Sequence, residues 1–245
     1  MSTDNRVYLL YRYWFNKDYK MTRAYEHIKE YPESIVCTYS REFGSRNYYN
    51  ILSKKYKDKS MYSYDGTTEF HSVKRVEVNG KVFYEVGYYN GKESKTGLLD
   101  GKGEPVMKVH NAPFMLDVIT DYCALCCWDY RGKTFYFSNL EGEKLSDVRI
   151  ECITKDDITG FAKYQQMISA GYIGVKIHHN RKWFILDLHT GEEAEEYKDM
   201  EFDVIEGRGS FVKLVDSNGT EWRFEDGVMR IVEPPTLVFS KGIDD

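Results

Sequence analysis

The sequence predicts a mainly all-β protein made of repeated antiparallel β-meanders, arranged as a propeller or as a stacked repeat array, with a small mixed α/β segment at the N-terminus. Three observations support this fold class. Tyr, which suits a pleated and half-buried surface, occurs 21 times in 245 residues. Asn79-Gly80 separates two strand-like runs. Glycine turns, each followed by an aromatic or glycine anchor, recur through the C-terminal two-thirds of the chain.

The N-terminal part of the chain mixes two kinds of pattern. Residues 7–15 and 34–39 read as strands. Residues 21–31 are expected to form a short helix because apolar residues recur at i, i+4 and i+7, and Pro32 would end it. Residues 48–56 have apolar and aromatic side chains on one helical face and predict a second short helix.

The residue pattern then changes to strand-like runs, and this change predicts a domain boundary between residues 72 and 73. Residues 73–78 and 82–89 are strand-like, and Asn79-Gly80 between them tolerates the positive φ angles of a tight type I′ hairpin turn. The predicted domains are therefore a basic, Tyr-rich segment over 1–72 and a β-repeat domain over 73–245.

The repeat prediction depends on four anchor positions. They are separated by 38, 49 and 38 residues, and the longer gap predicts an insertion near residues 161–170, in the form of a helical excursion. Because fixed spacing is what packing between copies requires, the anchors are interpreted as core residues. The anchors are Gly97, Phe135, Phe184 and Trp222.

One copy shows the expected strands. Residues 115–120, 122–130 and 134–140 read as three strands joined by polar turns, and 144–150 as a fourth. A small meander cannot bury its apolar face alone, so copies are expected to stack. An Asp also precedes a short apolar pair at Asp117, Asp157 and Asp203.

The run Lys95-Thr96-Gly97-Leu98-Leu99-Asp100, with Gly103-Glu104-Pro105-Val106 after it, resembles the core of the WG β-repeats of bacterial proteins. The resemblance spans about residues 80–230 and leaves residues 1–72 outside. Thr96 stands where that family has Trp or Tyr, and the later copies lack the Gly. The resemblance implies a binding or scaffolding protein, with no shared catalytic residues.

Charge divides the chain unevenly. Residues 1–60 have a net charge of +5 and 10 of the 21 tyrosines, whereas the remainder has a net charge of −10. Basic side chains neutralise phosphates and aromatic faces stack on bases, so this segment is a candidate anion-binding site. Two other uses remain open: a Tyr-rich core with solvated lysines, and docking of the basic segment on the acidic remainder. The candidate residues are Arg6, Arg12, Lys17, Arg23, Arg41, Arg46, Tyr11, Tyr13 and Tyr48.

Candidate catalytic and metal motifs are few. Cys123 and Cys126 are three apart on a predicted strand and so point to opposite faces, which favours buried core cysteines over a zinc or redox pair. His178 and His179 are adjacent at a predicted strand end, so their rings also point to opposite faces. The His189–Glu193 run reads as a turn with solvated charges. The sequence contains no nucleophile elbow and no phosphate loop. No metal and no cofactor are predicted.

Three functions follow as hypotheses. The preferred one is a non-catalytic β-repeat protein that binds a protein partner or a small ligand. The second is nucleic-acid or nucleotide binding by the N-terminal segment. The third is a hydrolase of carbohydrate or nucleotide with an unrecognised carboxylate pair. The absence of a signal-peptide pattern and the odd number of cysteines, five, predict a cytoplasmic protein without a membrane partner. The sequence does not indicate the oligomeric state.

Overall fold

The computed structural model describes residues 13–15, 21–24, 27–40, 46–55, 61–129, 134–151, 164–177, 180, 182–207 and 211–232. In these residues the protein is mainly all-β, as predicted, and the strand pairs are antiparallel. The chain divides into two compact units, unit 1 over Met1–Asp147 and unit 2 over Val148–Asp245. The boundary predicted between residues 72 and 73 lies within unit 1.

Unit 1 contains antiparallel sheets of neighbouring strands. The sheets join β1 to β2, β3 to β5, β6 to β8, and β9 to β11 in chain order. A 3₁₀ turn covers Val109–Asn111. The strands are β1 (Tyr13–Phe15), β2 (Met21–Ala24), β3 (His27–Glu30), β4 (Ser34–Ser40), β5 (Asn47–Ser53), β6 (Ser72–Val78), β7 (Lys81–Tyr89), β8 (Ser94–Asp100), β9 (Met115–Val118), β10 (Cys123–Asp129) and β11 (Thr134–Asn139).

Unit 2 is built on one antiparallel sheet in which six strands, β13 to β18, follow chain order. A short α-helix and a 3₁₀ turn over Glu195–Tyr197 accompany the sheet. The elements are β12 (Ile150–Glu151), α1 (Gln165–Ser169), β13 (Tyr172–Lys176), β14 (Trp183–Asp187), β15 (Phe202–Gly207), β16 (Val212–Asp216), β17 (Glu221–Glu225) and β18 (Val228–Ile231).

Both helices predicted in the N-terminal segment are wrong in the described residues. Residues 21–24 and 27–30 are strands β2 and β3, and residues 47–53 are strand β5. The physical reason lies in strand pairing: β5 pairs with β4 from Ser34↔Ser53 to Ser40↔Asn47, and this ladder overrides the helical spacing of the apolar residues.

Other local predictions are confirmed. Strand 34–39 corresponds to β4, the predicted hairpin to β6 and β7, and the excursion near 161–170 contains α1. Asn79 and Gly80 have φ angles of 50° and 74°, as a type I′ turn requires. The predicted fourth strand over 144–150 is confirmed only at its ends: Lys144 makes an isolated bridge with Ser138 of β11, and β12 begins at Ile150.

The core of unit 1 lies between its sheets. Tyr84 and Val86 of β7 join a buried cluster that contains Ile51 of β5, whereas Phe83 joins a cluster that contains Leu116 of β9. Because successive side chains of a strand point to opposite faces, the β6–β8 sheet is buried on both faces. Sheets in unit 1 are therefore layered.

A hydrogen-bonded turn occurs four times in the described residues. In each copy an Asp or Asn ends a strand, its side-chain oxygen accepts N–H groups within the turn, and its backbone carbonyl accepts the N–H of a glycine. A buried apolar residue lies two positions before each turn residue. The turn residues, with their glycines, are Asp100 with Gly103, Asn139 with Gly142, Asp187 with Gly191, and Asp216 with Gly219.

The turn residues give a different alignment from the predicted anchors. Gly97 and Phe184 lie three residues before their turn residues, but Phe135 lies four residues before Asn139 and Trp222 lies beyond Asp216. The four anchors are therefore not equivalent. A shift of one residue in a strand moves a side chain to the other face of the sheet, which is why sequence spacing alone misaligned them.

Within the described residues, no helix combines the length and the apolar character that crossing a bilayer requires.

Candidate functional site

Two of the nine predicted anion-binding residues have described side chains. Arg46 is exposed directly before β5, and Tyr48 of β5 is half-buried and stacked on Tyr39, with ring centroids 5.7 Å apart. Tyr13 and Arg23 lie in the β1–β2 hairpin, where Arg23 pairs with Trp14. The remaining five, Arg6, Tyr11, Arg12, Lys17 and Arg41, lie outside the described residues.

Backbone hydrogen bonds bring the start of β5 to the same end of unit 1 as the end of β7. Tyr49 and Phe70 exchange hydrogen bonds of 2.7 and 2.9 Å, and the N–H of His71 donates to the carbonyl of Gly87 at 2.8 Å. Tyr89 follows Gly87 by two residues. The end of β7 and the loop after it are called the hairpin-end surface, which comprises His71, Tyr89 and Lys92.

Tyr89 is the most exposed large hydrophobic side chain among the described residues, at 61% exposure. Its neighbour Tyr88 is 1% exposed and packs against Tyr64, so the alternation of β7 directs one ring to the core and the other to solvent. Asn90 orders the following loop, since its side-chain oxygen accepts the N–H groups of Lys92 and Glu93 at 3.0 Å each.

The hairpin-end surface combines the exposed ring of Tyr89 with the positive charge of Lys92. His71 is also exposed, and the Lys95 ammonium group is 3.0 Å from the Glu93 carboxylate. Tyr and Arg are the residue types that are enriched where proteins bind one another, because they combine large contact area with hydrogen bonding. The arrangement is chemically suited to recognition and contains no nucleophile paired with a base.

A second polar cluster in unit 1 consists of side chains that are paired with one another. The Arg75 guanidinium binds the Glu33 carboxylate in a two-pronged contact of 2.7 and 3.3 Å, and the Tyr84 hydroxyl also donates to Glu33. Burial raises the pKa of Glu33, but the hydrogen bonds from Arg75 and Tyr84 outweigh it and hold that pKa below its usual value. These hydrogen bonds connect the β3–β4 turn, which contains Glu33, to Arg75 of β6 and Tyr84 of β7.

Sequence reasoning did not find this network, because Glu33 and Arg75 are 42 residues apart and neither belongs to a motif. The sequence predicts Tyr89 as the last residue of the strand over 82–89 and does not single it out as a site residue. A signal for it did exist: an apolar ring at the last position of a strand, directly after a core tyrosine, is the position that alternation exposes.

The four cysteines in the described residues are buried, and for the run from Cys123 to Cys127 this confirms the prediction. Cys37, Cys123, Cys126 and Cys127 are buried thiols. Burial raises the pKa of Cys37 and of Cys126 to about 12 each, and Cys126 lies 3.1 Å from the Ser138 hydroxyl. Such thiols stay protonated at neutral pH and are poor nucleophiles and metal ligands.

Histidines and carboxylates were also considered as metal ligands. No group of three His, Cys, Asp or Glu side chains in the described part of the chain is placed to hold a metal ion. His178 and His179 lie outside that part. His189 is exposed in the Asp187 turn, where its backbone N–H donates to the Asp187 carboxylate at 2.7 Å.

Comparisons with known proteins give no family. No family model matches the chain, and no curated protein matches it in sequence.

Proposed function

We propose that the protein is a non-catalytic β-repeat binding protein that recognises a partner protein through the hairpin-end surface of unit 1. The observation that carries the proposal is Tyr89, which is 61% exposed, whereas Tyr64, Tyr84 and Tyr88 of the same unit are fully buried. A large exposed ring followed closely by the exposed Lys92 has the composition of a binding hot spot. A cytoplasmic location belongs to the same proposal.

The recurring turn supports the repeat part of this proposal. Gly97-Leu98-Leu99-Asp100, which resembles the WG β-repeats, is followed by segments of the same hydrogen bonding that end in Asn139, Asp187 and Asp216. Proteins similar to that family bind or scaffold other molecules. Repeats of this kind arrange loops at the ends of sheets while the sheets themselves pack together. The proposal includes both arrangements of the repeats, a propeller and an open stacked array.

The test is site-specific photo-crosslinking in the natural host, with a photoreactive phenylalanine in place of Tyr89. Val109, which is 43% exposed in the same unit and outside the hairpin-end surface, is the matched control position. We expect a protein adduct at position 89 that is absent at 109. The purified partner should then bind Tyr89→Ala about 10-fold or more weakly than the wild type, and Val109→Ala equally well.

Equal adducts at both positions, or equal affinity of Tyr89→Ala and the wild type, would contradict the proposal. Nucleic-acid binding is the competing outcome, because an exposed aromatic ring such as Tyr89 can also stack on bases. In that case the adduct would be nuclease-sensitive, and the affinity would fall steeply with salt as counterions are released. Hydrolysis remains the third hypothesis.

A further inference from the structure

Glu85 lies at the junction of two sheets in unit 1. It belongs to β7 and is 5% exposed, and it shares a strand face with Phe83, which packs against Leu116 and Val118 of β9. One carboxylate oxygen of Glu85 accepts the backbone N–H of Val118 at 2.9 Å. The carboxylate thus connects the β6–β8 sheet to the β9–β11 sheet by a direct hydrogen bond.

The second oxygen of Glu85 is 3.0 Å from the ammonium group of Lys74 on β6. The same ammonium group also pairs with the Asp117 carboxylate of β9. Two carboxylates therefore share one cation. When both are ionised the cluster has a net charge of −1, and the most buried member, Glu85, is separated from water.

No other charge in the described surroundings balances the cluster. Cys126 of β10 is the titratable group on the neighbouring strand, and burial keeps it a neutral thiol bonded to Ser138 of β11. Leu98 of β8 packs in the same cluster as Phe83 and contributes no charge. A single proton is what would make the group of Glu85, Asp117 and Lys74 neutral.

We propose that Glu85 is a proton-linked contact between the β6–β8 and β9–β11 sheets. Uptake of one proton by the Glu85 carboxylate neutralises the cluster of Glu85, Asp117 and Lys74. It also leaves Lys74 paired with Asp117 alone. The Val118 hydrogen bond is kept in both states because the protonated carboxyl group still has an acceptor oxygen. The two states differ in the charge buried between the sheets.

The electrostatics agree with this geometry. Burial raises the pKa of Glu85 to about 7, and the Asp117 charge raises it too, against the lowering by Lys74 and the Val118 N–H. Burial lowers the pKa of Lys74, but the Glu85 and Asp117 carboxylates raise it by more. The pKa of Lys74 is therefore above its usual value, and Lys74 keeps its charge. Since the folded pKa of Glu85 is above its unfolded value, its stabilising contribution is complete below pH 4.5 and is lost as pH rises through about 7.

The experiment is a carboxyl ¹³C NMR titration of Glu85 in the full-length chain. We expect a wild-type midpoint near 7. Asp117→Asn should lower the midpoint, because it removes a negative charge, and Lys74→Gln should raise it, because it removes the cation. Each shift is expected to be about one pH unit. A midpoint near 4.5, or one that neither variant moves, would overturn the proposal.

Urea unfolding gives an independent measurement of the same linkage. The wild type should lose stability between pH 6 and pH 8.5, and Glu85→Gln, which keeps an acceptor for Val118 but does not titrate, should lose less. Glu104→Gln, at an exposed position, is the control and should behave as the wild type. Equal pH dependence of wild type and Glu85→Gln would also overturn the proposal. If Glu85→Gln does not fold, the NMR titration of the wild type and Asp117→Asn decides alone.

Discussion

The ring of Tyr64 lies directly against Gly97, and a Cβ built at Gly97 would be no more than 2.5 Å from three carbons of that ring. The glycine of the Gly-Leu-Leu-Asp segment is therefore there for close packing. The rings of Tyr64 and Tyr88 meet edge to face at 5.2 Å beside it. Because the ring is fully buried, it has no open space into which it can retreat.

Replacement of this glycine should destabilise unit 1. Gly97→Ala forces the Tyr64 ring to shift, and overpacking of this kind typically costs about 1–3 kcal/mol of unfolding free energy. Gly66→Ala is not a suitable control because Gly66 has a φ of 71°. Lys102→Ala, at an exposed position just beyond the same strand, is the control. Urea unfolding of both variants tests this, and equal stability of Gly97→Ala and the wild type would refute it.

The hydroxyl of Tyr64 has a separate role, since it donates to the Met107 carbonyl at 3.0 Å in a buried position. Tyr64→Phe should cost about 1–3 kcal/mol because the buried carbonyl loses its hydroxyl donor. Tyr89→Phe, at an exposed position, should change the unfolding free energy by no more than about 0.5 kcal/mol. Chemical denaturation of the two variants side by side distinguishes these cases. A neutral Tyr64→Phe would show that water satisfies the carbonyl.

The Glu33–Arg75 contact should make stability fall in acid. The folded pKa of Glu33 is below its usual value of 4.5, so its contribution is present above pH 4.5 and is lost as pH falls through the folded pKa. Glu33→Gln should lose about 1–3 kcal/mol at neutral pH. Glu77→Gln removes the more exposed partner of Arg75 and should cost about 0–1 kcal/mol. Unfolding curves at pH 7 and pH 3 check both, and an acid loss in Glu33→Gln as large as in the wild type would contradict the assignment.

The buried cysteines should resist labelling in the folded protein. In a Cys152→Ser variant, which leaves only thiols within the described residues, a thiol reagent at pH 8 should react only on unfolding. The expected result is four thiols in urea and none in buffer. Rapid reaction of any of them in buffer would show that the β4 or β10 strands open.

Sequence predicted what local chemistry decides and missed what long-range pairing decides. The Asn79-Gly80 turn was predicted because only a few residue types tolerate its positive φ angles. The 48–56 segment was mistaken for a helix because its apolar spacing fits both periods, and only β4 across from it selects the strand. The core role of the cysteines followed from strand alternation. The sequence predicts Arg46 and Tyr48 as site residues but not Tyr89, because a linear pattern does not show that Tyr88 faces the core and Tyr89 faces solvent.

The recurring turn is the central structural claim, and amide hydrogen exchange by NMR tests it most directly. In three copies, a backbone N–H beyond the turn donates to the carbonyl of the buried residue two positions before it: Val106 to Leu98, Leu145 to Phe137, and Ala194 to Ile185. The account predicts that the amides of Val106, Leu145 and Ala194 all exchange orders of magnitude more slowly than the exposed turn amide of Gly80. Exchange of any of the three at the rate of Gly80 would contradict the claim that these turns are copies of one structure.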